Sequence, residues 1–165
     1  MRSRAARILA LLCVVHGGLV LAHSAPNSLV KLRFLAGSVQ AEVLVPESEL
    51  AFATAAEGGS GSFTDYLLRH LHLETAQGAA WKAEVRSVRN TLFLEHAYLS
   101  AQVEFLPPAG TPADAFVLID DAVTHEVRNH VVLVLGDRAG APLLLGTLQY
   151  PARRLVVRQT PLIQR

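Results

Sequence analysis

Six histidines follow residue 22, and they are the side chains of this sequence best suited to bind a metal ion: His23, His70, His72, His96, His125 and His130. Imidazole nitrogen is a common ligand of transition metals, and no cysteine competes with it in this part of the chain. The one cysteine, Cys13, lies in an apolar N-terminal run. A metal site beyond residue 22 must therefore use nitrogen and oxygen ligands.

His23 would offer two nitrogen ligands if the chain is cut after Ala22. Its α-amine would have a pKa near 8, so it would lose its proton near neutrality, and it would chelate together with the ring Nδ1. One further histidine would complete a nitrogen-rich, tetragonal set of the kind that Cu(II) and Ni(II) prefer. We therefore take His23, His125 and His130 as candidate ligands for copper or nickel, with a frayed terminus as the alternative for His23.

The segment "HEVRNH", residues 125–130, holds two of these histidines. On one continuous strand, residues five apart point to opposite faces and lie about 16 Å apart, so His125 and His130 could not share an ion. They could do so only if the chain turns between them, which Asn129 permits. Asp120 and Asp121 could join the site if the chain bends there, and a purely structural role for all four remains the alternative.

The other histidines are weaker candidates. On a helix, His70 and His72 would lie about 200° apart and could not share an ion. We interpret His70 as bordering the apolar stripe of that helix, and His72 and His96 as facing solvent.

The sequence contains no recognisable catalytic motif. The serines of "EGGSGS", residues 57–62, are not in a Gly-x-Ser-x-Gly context. The same loop lacks the Gly-Lys-Ser/Thr ending of a phosphate-binding loop. We therefore predict a non-enzymatic protein, with a hydrolase assembled from distant residues as an alternative.

The N-terminus has the organisation of a secretory signal peptide. "MRSRAAR" is basic, "ILALLCVVHGGLVLA" is apolar, and Val20 and Ala22 occupy the −3 and −1 positions of a cleavage site. The alternative is an uncleaved anchor, but the apolar run of about 14 residues is shorter than the ~20 that span a bilayer. We predict a signal peptide at 1–22 and an exported domain at 23–165. The domain would be periplasmic or extracellular, and association with the membrane is a further option.

Charge argues against nucleic-acid binding. Without residues 1–22 the chain keeps 12 of its 15 basic residues against 14 acidic ones, a net charge of −2. A nearly neutral domain has no electrostatic attraction for a phosphate backbone.

Alternating patterns predict the elements that must position these histidines. Residues 28–35 and 39–45 alternate around Gly37-Ser38 and indicate a β-hairpin, and "ESELAFATA" is compatible with a short helix. The best helix candidate is "SFTDYLLRHLHLE", in which Ser62 and Asp65 resemble a capping box. Further strand patterns are "WKAEVRSVR", "FLEHAYLSAQVEF", "FVLID", "HVVLVLGD", "PLLLGTLQY" and "RRLVVRQ". With 51% hydrophobic and 18% charged residues, we predict a mainly β fold, an antiparallel β-sandwich of about eight strands with one inserted α-helix.

Four stretches carry a resemblance to a known family: "HSAPNSLVKLRF", "VQAEVLVPESEL", "FTDYLLRHL" and "AVTHEVRNHVVLV". Together they resemble the extracytoplasmic N-terminal region of HupE/UreJ-like bacterial membrane proteins. The resemblance implies a signal peptide, a β-rich exported domain and then a bundle of transmembrane helices related to nickel permeases. The sequence ends at Arg165, where the first of those helices would be expected, so we do not assign transport to this polypeptide.

These observations lead to one main functional hypothesis and one alternative. The main hypothesis is an accessory domain that assists a bacterial membrane protein in metal or substrate capture. The alternative is a stand-alone copper or nickel carrier that uses His23 with His125 or His130.

Overall fold

Nine β-strands and two α-helices form the part of the chain that the computed structural model describes, residues 26–59, 61–138 and 141–159. The strands are β1 (Ser28–Leu35), β2 (Ser38–Pro46), β3 (Leu71–Glu74), β4 (Lys82–Phe93), β5 (His96–Leu106), β6 (Ala115–Asp120), β7 (Val132–Arg138), β8 (Ala141–Leu148) and β9 (Arg154–Arg158). The helices are α1 (Glu47–Ala56) and α2 (Phe63–His70). The predicted signal peptide and His23 lie outside the described residues.

The strands form two sheets. One has six strands in the order β4-β5-β2-β1-β7-β8, and the other has three in the order β3-β6-β9. The mainly β prediction is confirmed, but the purely antiparallel arrangement is wrong, because β1 and β7 pair in parallel from Ser28↔Val132 to Leu32↔Gly136. This pairing joins strands about 100 residues apart, and no local pattern indicates it. The structure also has two helices where one was predicted, since "ESELAFATA" does form α1.

Both sheets contribute to one hydrophobic core. The alternation predicted for the first hairpin holds in part. Val30 and Leu32 of β1 and Val43 and Val45 of β2 are buried as expected. On the opposite face, Leu29 and Leu44 are buried as well, in a small second cluster with Tyr98. The three-stranded sheet adds a set of buried residues to the same core: Leu71, Leu73, Phe116, Leu118 and Val157. Burying this apolar surface is the main driving force that holds the two sheets together.

Helix α2 begins as the capping pattern predicts and ends earlier than predicted. The Ser62 Oγ accepts a hydrogen bond from the backbone N–H of Asp65 at 3.1 Å. The helix stops at His70, because the chain continues directly into β3, where Leu71 pairs with Asp120 of β6. His72 therefore lies on a strand and not on the helix, so the predicted angle between His70 and His72 is wrong.

The stretch "FLEHAYLSAQVEF" is also not one strand. Leu94 and Glu95 have φ values of 48° and 66°, and this left-handed pair reverses the chain between β4 and β5. Phe93 consequently ends β4, and it packs edge-on against Tyr98 of β5 at a ring-centroid distance of 5.7 Å. The single strand predicted for residues 93–105 is therefore divided between two strands.

The segment between β6 and β7 turns repeatedly and contains no strand. Its backbone N–H groups donate back along the chain, from His125 to Asp121 at 3.2 Å and from Val127 to Val123 at 2.9 Å. The N–H of Asp121 also donates to the carbonyl of His70 at 3.2 Å. This contact, with the β3–β6 pairing, places the start of the segment beside the end of α2.

Within the described ranges, neither helix has the length and apolar character that a membrane crossing requires.

Candidate metal centre

Three side chains from three separate elements meet at the end of α2. Glu57 caps the C-terminal end of α1, His70 is the last residue of α2, and His125 lies in the turns after β6. One ligand atom from each of these residues lies within 4.8 Å of the other two. We call Glu57, His70 and His125 the EHH cluster.

The Nε2 atoms of both histidines face the same carboxylate oxygen. His70 Nε2 lies 2.8 Å and His125 Nε2 lies 3.2 Å from Glu57 Oε1. The two imidazole rings stack, with centroids 4.4 Å apart and an interplanar angle of 15°. The three atoms thus converge on one small volume.

The opposite ring nitrogens are both held by Asp121. His70 Nδ1 lies 2.8 Å from the carboxylate oxygen Oδ1 of Asp121, and His125 Nδ1 lies 2.7 Å from its backbone carbonyl oxygen. A carbonyl or a carboxylate oxygen accepts hydrogen bonds, so each Nδ1 carries the proton and donates it. In a neutral imidazole, Nε2 then carries a lone pair and no proton.

For His125, this assignment leaves Nε2 as an acceptor that faces the Glu57 carboxylate. His70 Nε2 lies 2.8 Å from the same carboxylate oxygen and donates to it when the His70 ring is protonated, but is a third acceptor when the ring is neutral. His125 Nε2 is buried and makes no hydrogen bond, although it lies beside Glu57 Oε1. Lone pairs in such contact repel unless a cation lies among them, either a proton on an imidazole or a metal ion. The EHH cluster is therefore built to hold a positive charge.

Electrostatics within the cluster favour charged groups. A hydrogen bond from Arg69 lowers the pKa of Glu57, against an opposing effect of burial, and His70 lowers it further. Burial lowers the pKa of His70, but hydrogen bonds with Asp121 and Glu57 outweigh it and raise that pKa above the ordinary value. The hydrogen bond with His70 lowers the pKa of Asp121 despite burial, and Arg153 adds to the effect.

Local features of the chain explain how the cluster is assembled. After Glu57, Gly58 and Gly59 adopt φ values of +90° and +67°, which let the chain leave α1 without side-chain strain. Tyr66, one turn before His70, packs on the His70 ring at 4.6 Å. Its hydroxyl donates to the carbonyl oxygen of Ala122, which ties α2 to the segment that carries His125.

The donor set suits a divalent transition-metal ion. Two imidazole nitrogens and one carboxylate oxygen are ligands of Zn(II), and nitrogen-rich sites also bind Cu(II) and Ni(II). Ligands about 2.0–2.1 Å from a tetrahedral ion are roughly 3.3 Å apart. The 2.8 Å and 3.2 Å contacts of the EHH cluster would need only a small opening to admit the ion. Three protein ligands leave at least one coordination position for another molecule.

Two cavities adjoin the cluster. One, of about 430 Å³, lies between α1 and α2 and is lined by Glu57, Tyr66 and Arg69 among others. The other, of about 410 Å³, is lined by His125, Asp121 and Arg153 among others. The side chains of the cluster are 12–29% exposed, although the Nε2 atom of His125 is itself buried.

The histidines singled out in the sequence have different surroundings. His125 belongs to the EHH cluster, whereas His130 does not. His130 is buried, and its Nε2 accepts a hydrogen bond from the backbone N–H of Ser28 at 3.2 Å and lies 2.9 Å from the Ser28 hydroxyl. Burial lowers the pKa of His130 to about 4. The structure therefore groups His125 with Glu57 and His70, and gives His130 contacts that hold the start of β1.

The chain does bend at the two aspartates. Asp121 joins the cluster through His70, as expected for a bent chain. Asp120 is buried, its Oδ1 accepts a hydrogen bond from the N–H of Ala122 at 3.0 Å, and burial raises its pKa to about 6.

Sequence reasoning missed two of the three cluster residues. Glu57 was interpreted as part of a flexible loop and His70 as a structural or surface residue. His70 and Glu57 are 13 positions apart, and His125 is 55 positions further on, so no spacing motif links them. The available clue was a histidine in a predicted helix together with an Asp-Asp pair at a strand end.

Comparison with protein-family models finds no match for this chain, and no curated protein matches it.

Proposed function

We propose that this protein is an exported β-sandwich domain that binds one divalent transition-metal ion through Glu57 Oε1, His70 Nε2 and His125 Nε2. The observation that carries the proposal is the convergence of these three potential ligand atoms, each within 4.8 Å of the others. Asp121 supports it, because it contacts both Nδ1 atoms and so leaves both Nε2 atoms on the side of Glu57.

The ions that fit this set are Zn(II), Cu(II) and Ni(II). A centre with two imidazoles and a carboxylate follows the usual order of affinities, in which Cu(II) exceeds Ni(II) and Zn(II). Copper and nickel, which the sequence analysis proposes, therefore remain candidates. The carboxylate ligand makes zinc a third candidate.

The incomplete set of protein ligands favours exchange of the ion over permanent retention. Structural zinc sites usually have four protein ligands, whereas the EHH cluster supplies three. Together with the predicted signal peptide and the HupE/UreJ resemblance, this supports a role in capturing a metal ion for a membrane partner, without catalysis.

Metal titration of the domain tests the proposal. We expect one ion to bind per chain, and the affinity to fall at least about tenfold in His70→Ala, His125→Ala and Glu57→Gln, since each removes one of three ligands. His96→Ala is the matched control, because His96 is exposed on β5 and does not belong to the cluster.

Two results would count against the EHH cluster. One is the absence of binding for all three ions. The other is binding that survives His70→Ala and His125→Ala but is lost in His23→Ala, which would favour the N-terminal amine chelate.

A further inference from the structure

The cavity of about 430 Å³ between α1 and α2 has the composition of a small-molecule site. Its volume lies in the range of ligand pockets, and more of its lining is apolar than polar. Leu50 of α1, Phe63 of α2 and Leu99 of β5 supply apolar surface, and Glu57 connects the cavity to the metal centre.

Three charged residues line this cavity: Glu47, Glu57 and Arg69. With neutral histidines, their formal charges sum to −1. The guanidinium of Arg69 is occupied by Glu57, whose Oε2 lies 2.9 Å from Arg69 Nη2. Without metal, the cavity therefore disfavours an anion.

A divalent ion at the EHH cluster inverts this charge. The ion adds two positive charges beside Glu57, so the formal sum becomes +1. Because the ion also neutralises Glu57, Arg69 becomes available to a second carboxylate. The ion acts on this cavity through Glu57, which belongs both to the EHH cluster and to the cavity lining.

We propose that the metal-loaded protein binds a small organic carboxylate in this cavity. The carboxylate lies beside Arg69 and the ion, and the apolar part of the ligand packs against Leu50, Phe63 and Leu99. The inference rests on the proposed function, because the metal ion creates the positive charge. Thermodynamic linkage requires that the carboxylate in turn tightens metal binding by the same factor.

Calorimetric titration with hexanoate and hexylammonium tests this inference, with and without saturating Zn(II), which is redox-silent. The two probes share an alkyl chain and carry opposite charges. We expect Zn(II) to tighten hexanoate binding at least about tenfold and to weaken hexylammonium binding, within the usual range of coupling between sites. Arg69→Gln should reduce the effect on hexanoate.

A pair of tryptophan variants locates the site. Ala51 lines the cavity from an exposed position on α1, and Ala55 is exposed on the same helix outside the lining. Ala51→Trp should fill the cavity and abolish hexanoate binding, while Ala55→Trp should leave it unchanged. Both variants should still bind Zn(II), which shows that they are folded.

The outcomes separate the two proposals. Hexanoate binding that is equal with and without Zn(II), or that survives Ala51→Trp, overturns the carboxylate site and leaves metal binding intact. Failure of the wild-type protein to bind Zn(II), Cu(II) or Ni(II) overturns both.

Discussion

Replacing Asp121 by asparagine removes the charge that orients His70 while keeping the shape of the side chain. Asp121 Oδ1 lies 2.8 Å from His70 Nδ1, and its Oδ2 lies 3.0 Å from Arg153 Nη1. An asparagine can present either an oxygen or an NH₂ group to His70, so the imidazole is no longer held in one tautomer. We therefore expect Asp121→Asn to weaken zinc binding without removing any ligand.

The expected loss of zinc affinity follows from the position of Asp121, which is hydrogen-bonded to a ligand but is not itself a ligand. Loss of such an outer partner typically costs 10- to 100-fold in metal affinity, which corresponds to about 1.4–2.7 kcal/mol. The contact from the Asp121 carbonyl to His125 Nδ1 is a backbone contact and persists in the variant. The loss should therefore be smaller than that of His70→Ala.

Competition against a chromophoric chelator at pH 8 measures this affinity. Asp114→Asn is the matched control, since Asp114 is exposed and precedes β6, roughly 20 Å along the strand from Asp120. The pKa of His70, followed by NMR in the metal-free protein, gives a second readout. It should fall in Asp121→Asn, because the carboxylate raises it in the wild type. Unchanged zinc affinity together with unchanged His70 titration would refute the role of Asp121.

Two further predictions concern stability. Burial lowers the pKa of His130 from its model-peptide value of 6.5 to about 4, so between those pH values the unfolded chain binds the proton and the folded chain does not. The stability of the folded state therefore falls as the pH decreases through this window, by on the order of 3 kcal/mol. Urea unfolding at pH 7 and pH 4 should show a larger loss for the wild type than for His130→Gln, and equal losses would contradict the role of burial. Zinc should raise the melting temperature, since free ion at 100 times Kd stabilises a protein by about 2.7 kcal/mol. For a domain of this size the shift is roughly 10 °C, and differential scanning calorimetry should find it absent in His70→Ala.

Features of the fold that depend on neighbouring residues were predictable. The first hairpin was predictable because Val30 and Leu32 flank Lys31 before Gly37, and Val39, Ala41 and Val43 flank Gln40 and Glu42 after it. The start of α2 was predictable because Ser62 caps the helix through a hydrogen bond with Asp65, only three positions later in the sequence.

The candidate site could not be predicted in this way, because distant strand pairing assembles it. The β3–β6 register brings Leu71 opposite Asp120, and this places His70 next to Asp121. Likewise, the parallel pairing of β1 with β7 places His130 against Ser28, 102 positions away. The histidine pair that looks densest in the sequence, His125 and His130, is thus divided between the EHH cluster and a structural contact with Ser28.

The most direct test of the metal centre is ¹⁵N NMR of the histidine side chains during zinc titration. We expect zinc to shift the Nε2 signals of His70 and His125 at one equivalent, while both Nδ1 atoms remain protonated through their contacts with Asp121. Zinc-induced shifts confined to other histidines, or to Nδ1 of these two, would contradict it.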